Sequence, residues 1–375
     1  MPRQESCRRC MLPAGMFHVR LDESGLCNYC RHWDENEALL LDFERHRPML
    51  VTRLEKYVGR FHYDAAVGLS GGKDSAYVLD RLTAGYGANV LAVTFDNGFL
   101  TDAAWQNIAG ITRASGVDHF TYKPDWDVYR AFYRATLQRL GDPCVACSVG
   151  GYVLSIRGCR DLKVPFFVHG RSPAQMFRHW YPGTRDPGIR ILQHNLAEHS
   201  SSTLQRDYRA ISLRMRLLLY GLVRDVRLRR RIFHELVGVG PRDGSVNPEF
   251  LAFFLFEPYD EKEILQHLAK LNAGYQRPAN HTILGHGDCL IHDAAAYIYE
   301  QHHGVSRVLP DVAAMLRRGE VTQDEAREMI AANTPDEEDV ESSIAHMIER
   351  LEMSRDEFNA IVNRMKHKRN KLPFG

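Results

Sequence analysis

The sequence lacks any apolar run that approaches the roughly 20 residues needed to span a bilayer. Its first ten residues, MPRQESCRRC, carry charge and no apolar stretch, so we expect neither a secretory signal nor a membrane partner. Repeats and low-complexity linkers are absent as well, while 44% of the residues are hydrophobic, which is ordinary for a folded chain. Together these absences predict a globular, cytoplasmic protein.

Net charge is also nearly absent, because 48 Lys and Arg residues oppose 47 Asp and Glu residues over 375 positions. A near-neutral chain does not attract nucleic acid through bulk electrostatics. Segment 206–231 is a local exception, with nine arginines and two aspartates. Three roles fit such a segment: a surface for RNA phosphates, a surface for a sugar nucleotide or another anionic acceptor, and an ordinary solvated helix face.

What the sequence does have is an unusual arrangement of its eight cysteines, six of which form three C-x-x-C pairs. In a chain without a secretory signal, such pairs bind metal or do redox work more often than they form disulfides. The first two pairs are 16 residues apart, a spacing typical of four-cysteine zinc sites. We therefore predict a closed structural Zn²⁺ site, with an iron–sulfur centre as the alternative. Its ligands are Cys7, Cys10, Cys27 and Cys30.

Apolar runs alternate with helical patterns between residues 63 and 175, which predicts a parallel sheet covered by helices on both faces. The expected fold class is therefore α/β, with an N-terminal zinc knuckle and a helical C-terminal portion. The predicted segments are the knuckle at 1–31, a helical connector at 32–60, the α/β nucleotide-binding domain at 61–200 and a mainly helical region at 201–375.

The sequence SGGKDS lies between the first predicted strand and the helix that follows it. Its glycines let the backbone approach anionic oxygens, and the N–H groups at a helix N-terminus point towards them. The second predicted strand ends in TFDNG beside the first, where open α/β sheets place their ligands. The loop is not a Walker A motif, because Val67 stands at the first glycine position and Asp74 follows the lysine. The expected nucleotide-binding residues are Ser70, Gly71, Gly72, Lys73, Asp74, Ser75, Asp96 and Asn97.

The third cysteine pair, in PCVAC, lies at the head of a predicted core helix near the carboxyl edge of the sheet. A helix N-terminus lowers the pKa of a thiol, so Cys144 and Cys147 are candidates for reactive groups or metal ligands. Cys289 is a candidate third ligand for a cluster or another metal. The simpler alternative is that the pair consists of two thiols packed beneath the nucleotide loop.

In its strand–loop–helix setting, SGGKDS resembles the PP-loop of the ATP pyrophosphatases, the adenine nucleotide α-hydrolase superfamily. The resemblance implies a loop that binds pyrophosphate, cleavage of ATP between its α and β phosphates, and an adenylated substrate. Lys73 is then the candidate that stabilises charge on the leaving pyrophosphate, and Asp74 the candidate that orients Mg²⁺ or the helix terminus. The resemblance places Asp96 and Asn97 near adenine and ribose, although a plain DNG turn would also account for them.

Further segments resemble the N-acetyl sugar amidotransferase family of these enzymes. That resemblance implies ATP-dependent conversion of an acetamido carbonyl on a nucleotide sugar into an amidine, with ammonia from a separate glutaminase-type partner. It also adds Gly170, in the loop after the fourth strand, to the ATP site. The segments are CRRCMLP with DESGLCNYC, GLSGGKDSAYVL, VTFDNG, PCVACSVGGYVLSIRGCRDLKVPFFVHGRSP, FEPYDEKEIL and GVSRVLPDVAAMLRRGEVTQDEA.

Two other functions fit the same residues. A PP-loop sulfurtransferase would use sulfur from a donor in place of ammonia, act on tRNA or a small molecule, and hold an iron–sulfur cluster at Cys144, Cys147 and Cys289. A non-catalytic zinc-knuckle scaffold with a vestigial ATP fold is the third hypothesis, which the intact SGGKDS sequence disfavours.

Overall fold

Five short parallel strands form the centre of the molecule. The computed structural model describes residues 5–177, 202–238, 248–271, 274–276 and 287–369. The strands are β1 (Ala65–Gly68), β2 (Val90–Phe95), β3 (His119–Tyr122), β4 (Phe166–His169) and β5 (Glu249–Ala252). Along the sheet they follow the order β3–β2–β1–β4–β5, and each pair is parallel. The predicted α/β fold class is confirmed.

The central strands carry small and β-branched apolar side chains that are buried, as expected for strands covered on both faces. Edge strand β3 has three exposed residues out of four. At residues 249–256 the sequence predicts only an apolar stretch that leads into a helix. The structure forms β5 within this stretch. An apolar run of this length cannot be distinguished from a buried helix by periodicity alone, so the fifth strand is found only through its pairing with β4.

Helices flank the sheet and form most of the C-terminal part. None of the helices within the described residues combines the length and the apolar character that a bilayer span requires. In chain order they are α1 (Asn28–Leu40), α2 (Phe43–Glu55), α3 (Lys73–Asp80), α4 (Asp102–Ser115), α5 (Trp126–Leu140), α6 (Cys144–Asp161), α7 (Pro173–Phe177), α8 (Ser202–Leu222), α9 (Val226–Val237), α10 (Glu261–Lys270), α11 (His292–His303), α12 (Leu309–Arg317), α13 (Gln323–Ala332), α14 (Glu337–Leu351) and α15 (Arg355–Arg369).

Several helix starts follow directly from capping residues in the sequence. Thr101 begins α4 by accepting a hydrogen bond from the backbone N–H of Ala104, and Gly116 ends that helix in the left-handed conformation. Thr322 and Glu325 form a capping box at the start of α13. The arginine-rich segment is helical as predicted, divided between α8 and α9, and the side chains of residues 206–211 lie outside the described residues.

The N-terminal knuckle packs against the C-terminal helices rather than standing apart. Its four cysteines and Tyr29 share a buried cluster with Val312, Ala313 and Ala326 of α12 and α13. The guanidinium of Arg9 donates a hydrogen bond of 2.6 Å to the backbone carbonyl of Arg317. A knuckle of about 30 residues cannot bury enough apolar surface alone, so α12 supplies the other half of its core.

Arg317 is the charged residue that joins this region to the sheet. It is 2% exposed, its guanidinium lies 5.5 Å from the centre of the Tyr29 ring, and it donates a 3.0 Å hydrogen bond to the carbonyl of Phe177 at the end of α7. α7 follows β4 directly, so a single side chain ties the knuckle, α12 and the loop after β4 together.

We expect Arg317→Met to lower the free energy of unfolding by about 2–3 kcal/mol, because buried hydrogen-bond acceptors lose a charged donor. Arg327→Met is the matched control, since Arg327 is 57% exposed and its partners, Asp324 and Gln323, lie on the surface, where such an ion pair is worth about 0–1 kcal/mol. Urea denaturation of both variants measures the difference. Equal losses in the two variants would show that Arg317 does not join these elements.

Candidate functional site

The strand order creates a crevice at the carboxyl edge of the sheet. The chain reverses its direction of travel along the sheet between β1 and β4, and open α/β sheets bind ligands outside the carboxyl ends of strands at such a switch point. The loops after β1, β2 and β4 therefore meet at one edge. All three contain residues that the sequence predicts for the nucleotide site: SGGKDS, DNG and Gly170.

The SGGKDS loop turns sharply from β1 into α3. Gly71 has a φ of 85°, in the left-handed region, and Gly72 is the N-cap residue of α3 without a side chain at the helix terminus. The hydroxyl of Ser75 donates a 3.0 Å hydrogen bond to the carbonyl of Gly72, and the backbone N–H of Gly72 donates to the hydroxyl of Ser70 at 3.3 Å. The two serines thus hold the shape of a loop that presents backbone N–H groups to an anion.

A second feature of Gly71 is its close approach to α4. A Cβ atom there would lie 2.5 Å from the carbonyl oxygen of Ala104, and the amide of Asn107 donates a 3.0 Å hydrogen bond to the carbonyl of Gly71. The loop is therefore held from both sides, by its own serines and by α4.

The charged residues of the loop contact a segment that the sequence analysis did not assign to the site. The Lys73 ammonium lies 3.0 Å from a carboxylate oxygen of Asp74, donates to the Tyr259 hydroxyl at 3.2 Å, and lies 4.0 Å from a carboxylate oxygen of Glu261. Tyr259 also donates to Asp74 at 3.2 Å. The sequence assigns FEPYDE to the site only through the family resemblance, and the local signal for it is a polar cluster directly after an apolar run.

The DNG turn makes the hydrogen bonds expected of a plain turn and one more. Asp96 accepts a 3.0 Å hydrogen bond from the N–H of Gly98, and the side-chain oxygen of Asn97 accepts from the N–H of Phe99 at 2.8 Å. The side-chain amide of Asn97 donates to the sulfur of Cys147 at 3.2 Å. This last contact links the second nucleotide motif to the third cysteine pair, while the contacts of Asp96 and Asn97 with ATP stay a prediction.

Cys144, Cys147 and Cys289 lie near one another beside that turn. Cys144 begins α6, and Cys289 forms an antiparallel bridge with Leu100, just after the DNG turn. Burial and the neighbouring Cys144 raise the pKa of Cys147 to about 11, and burial together with the other two cysteines raises the pKa of Cys289 well above its usual value. Cys289 thus lies close enough to the pair to influence it electrostatically, and its role as a third metal ligand stays a prediction.

The loop after β4 completes the crevice. A Cβ atom on Gly170 would lie 2.9 Å from the carbonyl oxygen of Asp74, so this loop contacts the first turn of α3 and has no room for a side chain there. Burial, with a smaller effect of Arg171, lowers the pKa of His169 to about 3, and the imidazole therefore stays neutral near pH 7. The centres of the His169 and Phe250 rings are 5.2 Å apart, so His169 packs against β5. The predicted contact of Gly170 with ATP is untested, but its position is at the predicted site.

The four N-terminal cysteines have the geometry of a tetrahedral metal site. Their sulfur atoms all lie within 4.8 Å of one another, with separations of 3.7 Å between Cys7 and Cys30 and 3.5 Å between Cys10 and Cys27. A tetrahedron with Zn–S bonds of about 2.3 Å places its sulfurs about 3.8 Å apart, so the spacing fits a zinc knuckle. Within the described part of the chain, it is the only group of three or more potential ligands packed this closely.

The C-terminal part of the chain contacts the DNG turn and the residues just after it. The backbone N–H of Leu290 donates to the carbonyl of Phe99 at 2.8 Å, and the N–H of Thr101 donates to the carbonyl of Asp288 at 3.1 Å. Arg350 of α14 lies 4.7 Å from the centre of the Trp126 ring and donates to the carbonyl of Gly98 at 3.3 Å. The nucleotide crevice is thus partly built by the last third of the chain.

Solved structures match the chain at low sequence identity, among them the following three. The U34-tRNA thiolase NcsA from Methanococcus maripaludis with its [4Fe-4S] cluster is 15% identical, with a TM-score of 0.32 and 88% of each chain covered. NMN synthetase from Francisella tularensis is 12% identical, with a TM-score of 0.36 and 88% of this chain and 96% of that chain covered. The NH3-dependent NAD synthetase from Campylobacter jejuni subsp. jejuni NCTC 11168 in complex with the nitrate ion is 12% identical, with a TM-score of 0.30 and coverage of 52% and 94%. No curated protein matches the chain.

Gly71→Ala is expected to weaken ATP binding by about tenfold to a hundredfold, because the added methyl group collides with the Ala104 carbonyl and displaces the loop. Calorimetric titration with Mg·ATP measures the change. Gly87→Ala is the matched control: Gly87 also has a positive φ, 66°, but a Cβ there has no neighbour within 4 Å. Unchanged binding in Gly71→Ala would mean that ATP binds elsewhere.

One family model matches part of the chain. Residues 288–372 match the family described as LPS biosynthesis protein WbpG-like, C-terminal domain. The matched segment begins with Asp288 and Cys289 and includes Arg350, so it contains the residues that hold the DNG turn. The parallel sheet with SGGKDS at its switch point is the PP-loop arrangement predicted from the sequence. The chain is therefore an α/β protein with SGGKDS at the switch point of its parallel sheet, and its residues 288–372 match the model of the WbpG-like C-terminal domain.

Proposed function

We propose that the chain is an ATP-dependent amidotransferase that forms AMP and pyrophosphate and acts on an N-acetyl group of a sugar nucleotide. The observation that carries this proposal is that the WbpG-like segment builds one side of the PP-loop crevice, through its hydrogen bonds to Phe99 and Thr101. The family description places WbpG-like proteins in LPS biosynthesis, which supports a sugar-bearing acceptor.

In the proposed reaction, the acetamido oxygen of the acceptor attacks the α-phosphorus of ATP, and the bond to the β-phosphate breaks. Pyrophosphate leaves into the SGGKDS loop, where the N–H groups at the start of α3 and the Lys73 ammonium offset its charge. Ammonia then attacks the carbon of the adenylated imidate, and AMP leaves with the former carbonyl oxygen, so that an amidine remains. A glutaminase-type partner would supply the ammonia.

Mg²⁺ fits the same corner of the crevice. The carboxylates of Asp74 and Glu261 both lie within 4.0 Å of the Lys73 ammonium, and carboxylate oxygens are the ligands that Mg²⁺ prefers. When bound there, Mg²⁺ would neutralise phosphate charge. Asp74 and Glu261 would hold the ion, and Lys73 would contact the phosphates.

We expect Lys73→Ala to reduce pyrophosphate release by about 10²–10³-fold, because the leaving group loses its cationic partner. The assay supplies Mg·ATP, ammonium and a sugar nucleotide that carries an N-acetyl group, and it measures pyrophosphate, AMP and the mass of the sugar product. Lys270→Ala, at an exposed position of α10, is the control and should match the wild type. Pyrophosphate release without an amidine product, or equal activity in Lys73→Ala, would contradict the proposal.

A PP-loop sulfurtransferase is the second candidate. The specific observation in its favour is that Cys147 accepts a hydrogen bond from Asn97 of the second nucleotide motif, with Cys144 and Cys289 nearby. Three thiols at the nucleotide crevice could hold an iron–sulfur cluster that receives sulfur from a donor. The exposed arginines of α8 and α9 would then contact the phosphates of tRNA.

Metal analysis after anaerobic purification separates the two candidates. The amidotransferase proposal predicts about one Zn²⁺ per chain and no iron, with the zinc lost in Cys27→Ser because the four-sulfur site is broken. Iron that is lost in Cys289→Ser would instead establish the sulfurtransferase. Cys159→Ser serves as the control in both cases, since Cys159 is buried in the core against the sheet, away from both cysteine groups.

A further inference from the structure

The segment that follows β5 places Tyr259 beside the phosphate loop. The chain passes from β5 through a short 3₁₀ turn at Phe253–Leu255 and then reaches Tyr259. The Tyr259 ring packs edge-on against Phe254, with ring centres 4.9 Å apart, and Phe254 is itself buried. Phe254 is a core residue and Tyr259 is partly buried against it, so the packing after β5 helps to place the Tyr259 hydroxyl beside the loop.

The hydroxyl of Tyr259 completes a closed set of polar contacts. It accepts a hydrogen bond from the Lys73 ammonium at 3.2 Å and donates one to Asp74 at 3.2 Å, while Lys73 and Asp74 are 3.0 Å apart. The Lys73 ammonium also lies 5.8 Å from the centre of the Tyr259 ring. A hydroxyl is the smallest group that can accept from a cation and donate to a carboxylate at once.

Burial affects the pKa of the Tyr259 hydroxyl. Burial, with the negative charges of Asp74 and Glu261, raises the pKa of Tyr259 far above its usual value. The phenol therefore keeps the proton that it donates to Asp74.

We propose that Tyr259 is a positioning residue of the phosphate loop, whose hydroxyl holds Lys73 and Asp74 in place for Mg·pyrophosphate. The inference rests on the proposed ATP pyrophosphatase function and adds a residue that lies far from SGGKDS in the sequence. A lysine ammonium on four flexible carbons loses side-chain entropy when it binds a phosphate. Contacts that restrict Lys73 before the phosphate binds reduce this loss of side-chain entropy, and they hold the ammonium near the leaving pyrophosphate.

The test compares Tyr259→Phe, which removes only the hydroxyl, with Tyr77→Phe, which alters another tyrosine stacked on the same Phe254 ring. We expect Tyr259→Phe to lower kcat for pyrophosphate release by about 10- to 100-fold, with a smaller change in KM for ATP. Tyr77→Phe should keep the wild-type kcat. The Tm of both variants should stay close to that of the wild type, because the two rings remain packed.

A double-mutant cycle of pyrophosphate binding shows whether Tyr259 acts through Lys73. Calorimetric titration with magnesium pyrophosphate is done on the wild type, Tyr259→Phe, Lys73→Ala and the double variant. We expect Tyr259→Phe to weaken binding in the wild-type background by about 10-fold and to have little further effect when Lys73 is absent. Additive effects, or wild-type kcat in Tyr259→Phe, would overturn the inference. If the wild type itself neither binds pyrophosphate nor releases it, the proposed function fails instead.

Discussion

The parallel pairing of β1 with β2 on one side and β4 on the other is the constraint on which the candidate site depends. It brings the carboxyl ends of three strands together, so that SGGKDS, the DNG turn and Gly170 share one edge. Each loop then contacts its neighbour directly: Gly71 meets Ala104 of α4, and Gly170 meets the backbone of Asp74. A side chain at either glycine would separate elements that the phosphate site needs in contact.

The C-terminal part of the chain shares an apolar core with the α/β part, and backbone hydrogen bonds and the cation of Arg317 add directed contacts to it. Leu290 pairs with Phe99 beside the DNG turn, and Arg317 connects the knuckle to the end of α7. Such contacts have directions, so they fix the orientation of one element against another more closely than apolar packing does. The four-cysteine knuckle and the crevice at the sheet edge are therefore parts of one framework connected through α12.

The three cysteines at the crevice bear on which of the two proposed reactions takes place, the transfer of nitrogen or the transfer of sulfur. Cys147 accepts a hydrogen bond from Asn97, and burial raises the pKa of both Cys147 and Cys289. Raised pKa values keep the thiols protonated near pH 7, which disfavours free nucleophilic thiolates at these two positions. A bound metal would reverse that preference, since a coordinating thiol is deprotonated. The choice of function therefore depends on what these sulfurs bind.

The α/β class, the four-cysteine knuckle and the position of SGGKDS between a strand and a helix can all be predicted from local patterns in the sequence. Spacing and periodicity are sufficient there, because the interacting residues are close in the chain or repeat regularly. Two further features, β5 and the place of Tyr259, depend on contacts between residues that are far apart in the chain. β5 could not be distinguished from a buried helix until it paired with β4. Tyr259 could not be assigned to the phosphate loop, because 185 positions separate it from Asp74 and only the sheet brings its hydroxyl to that carboxylate.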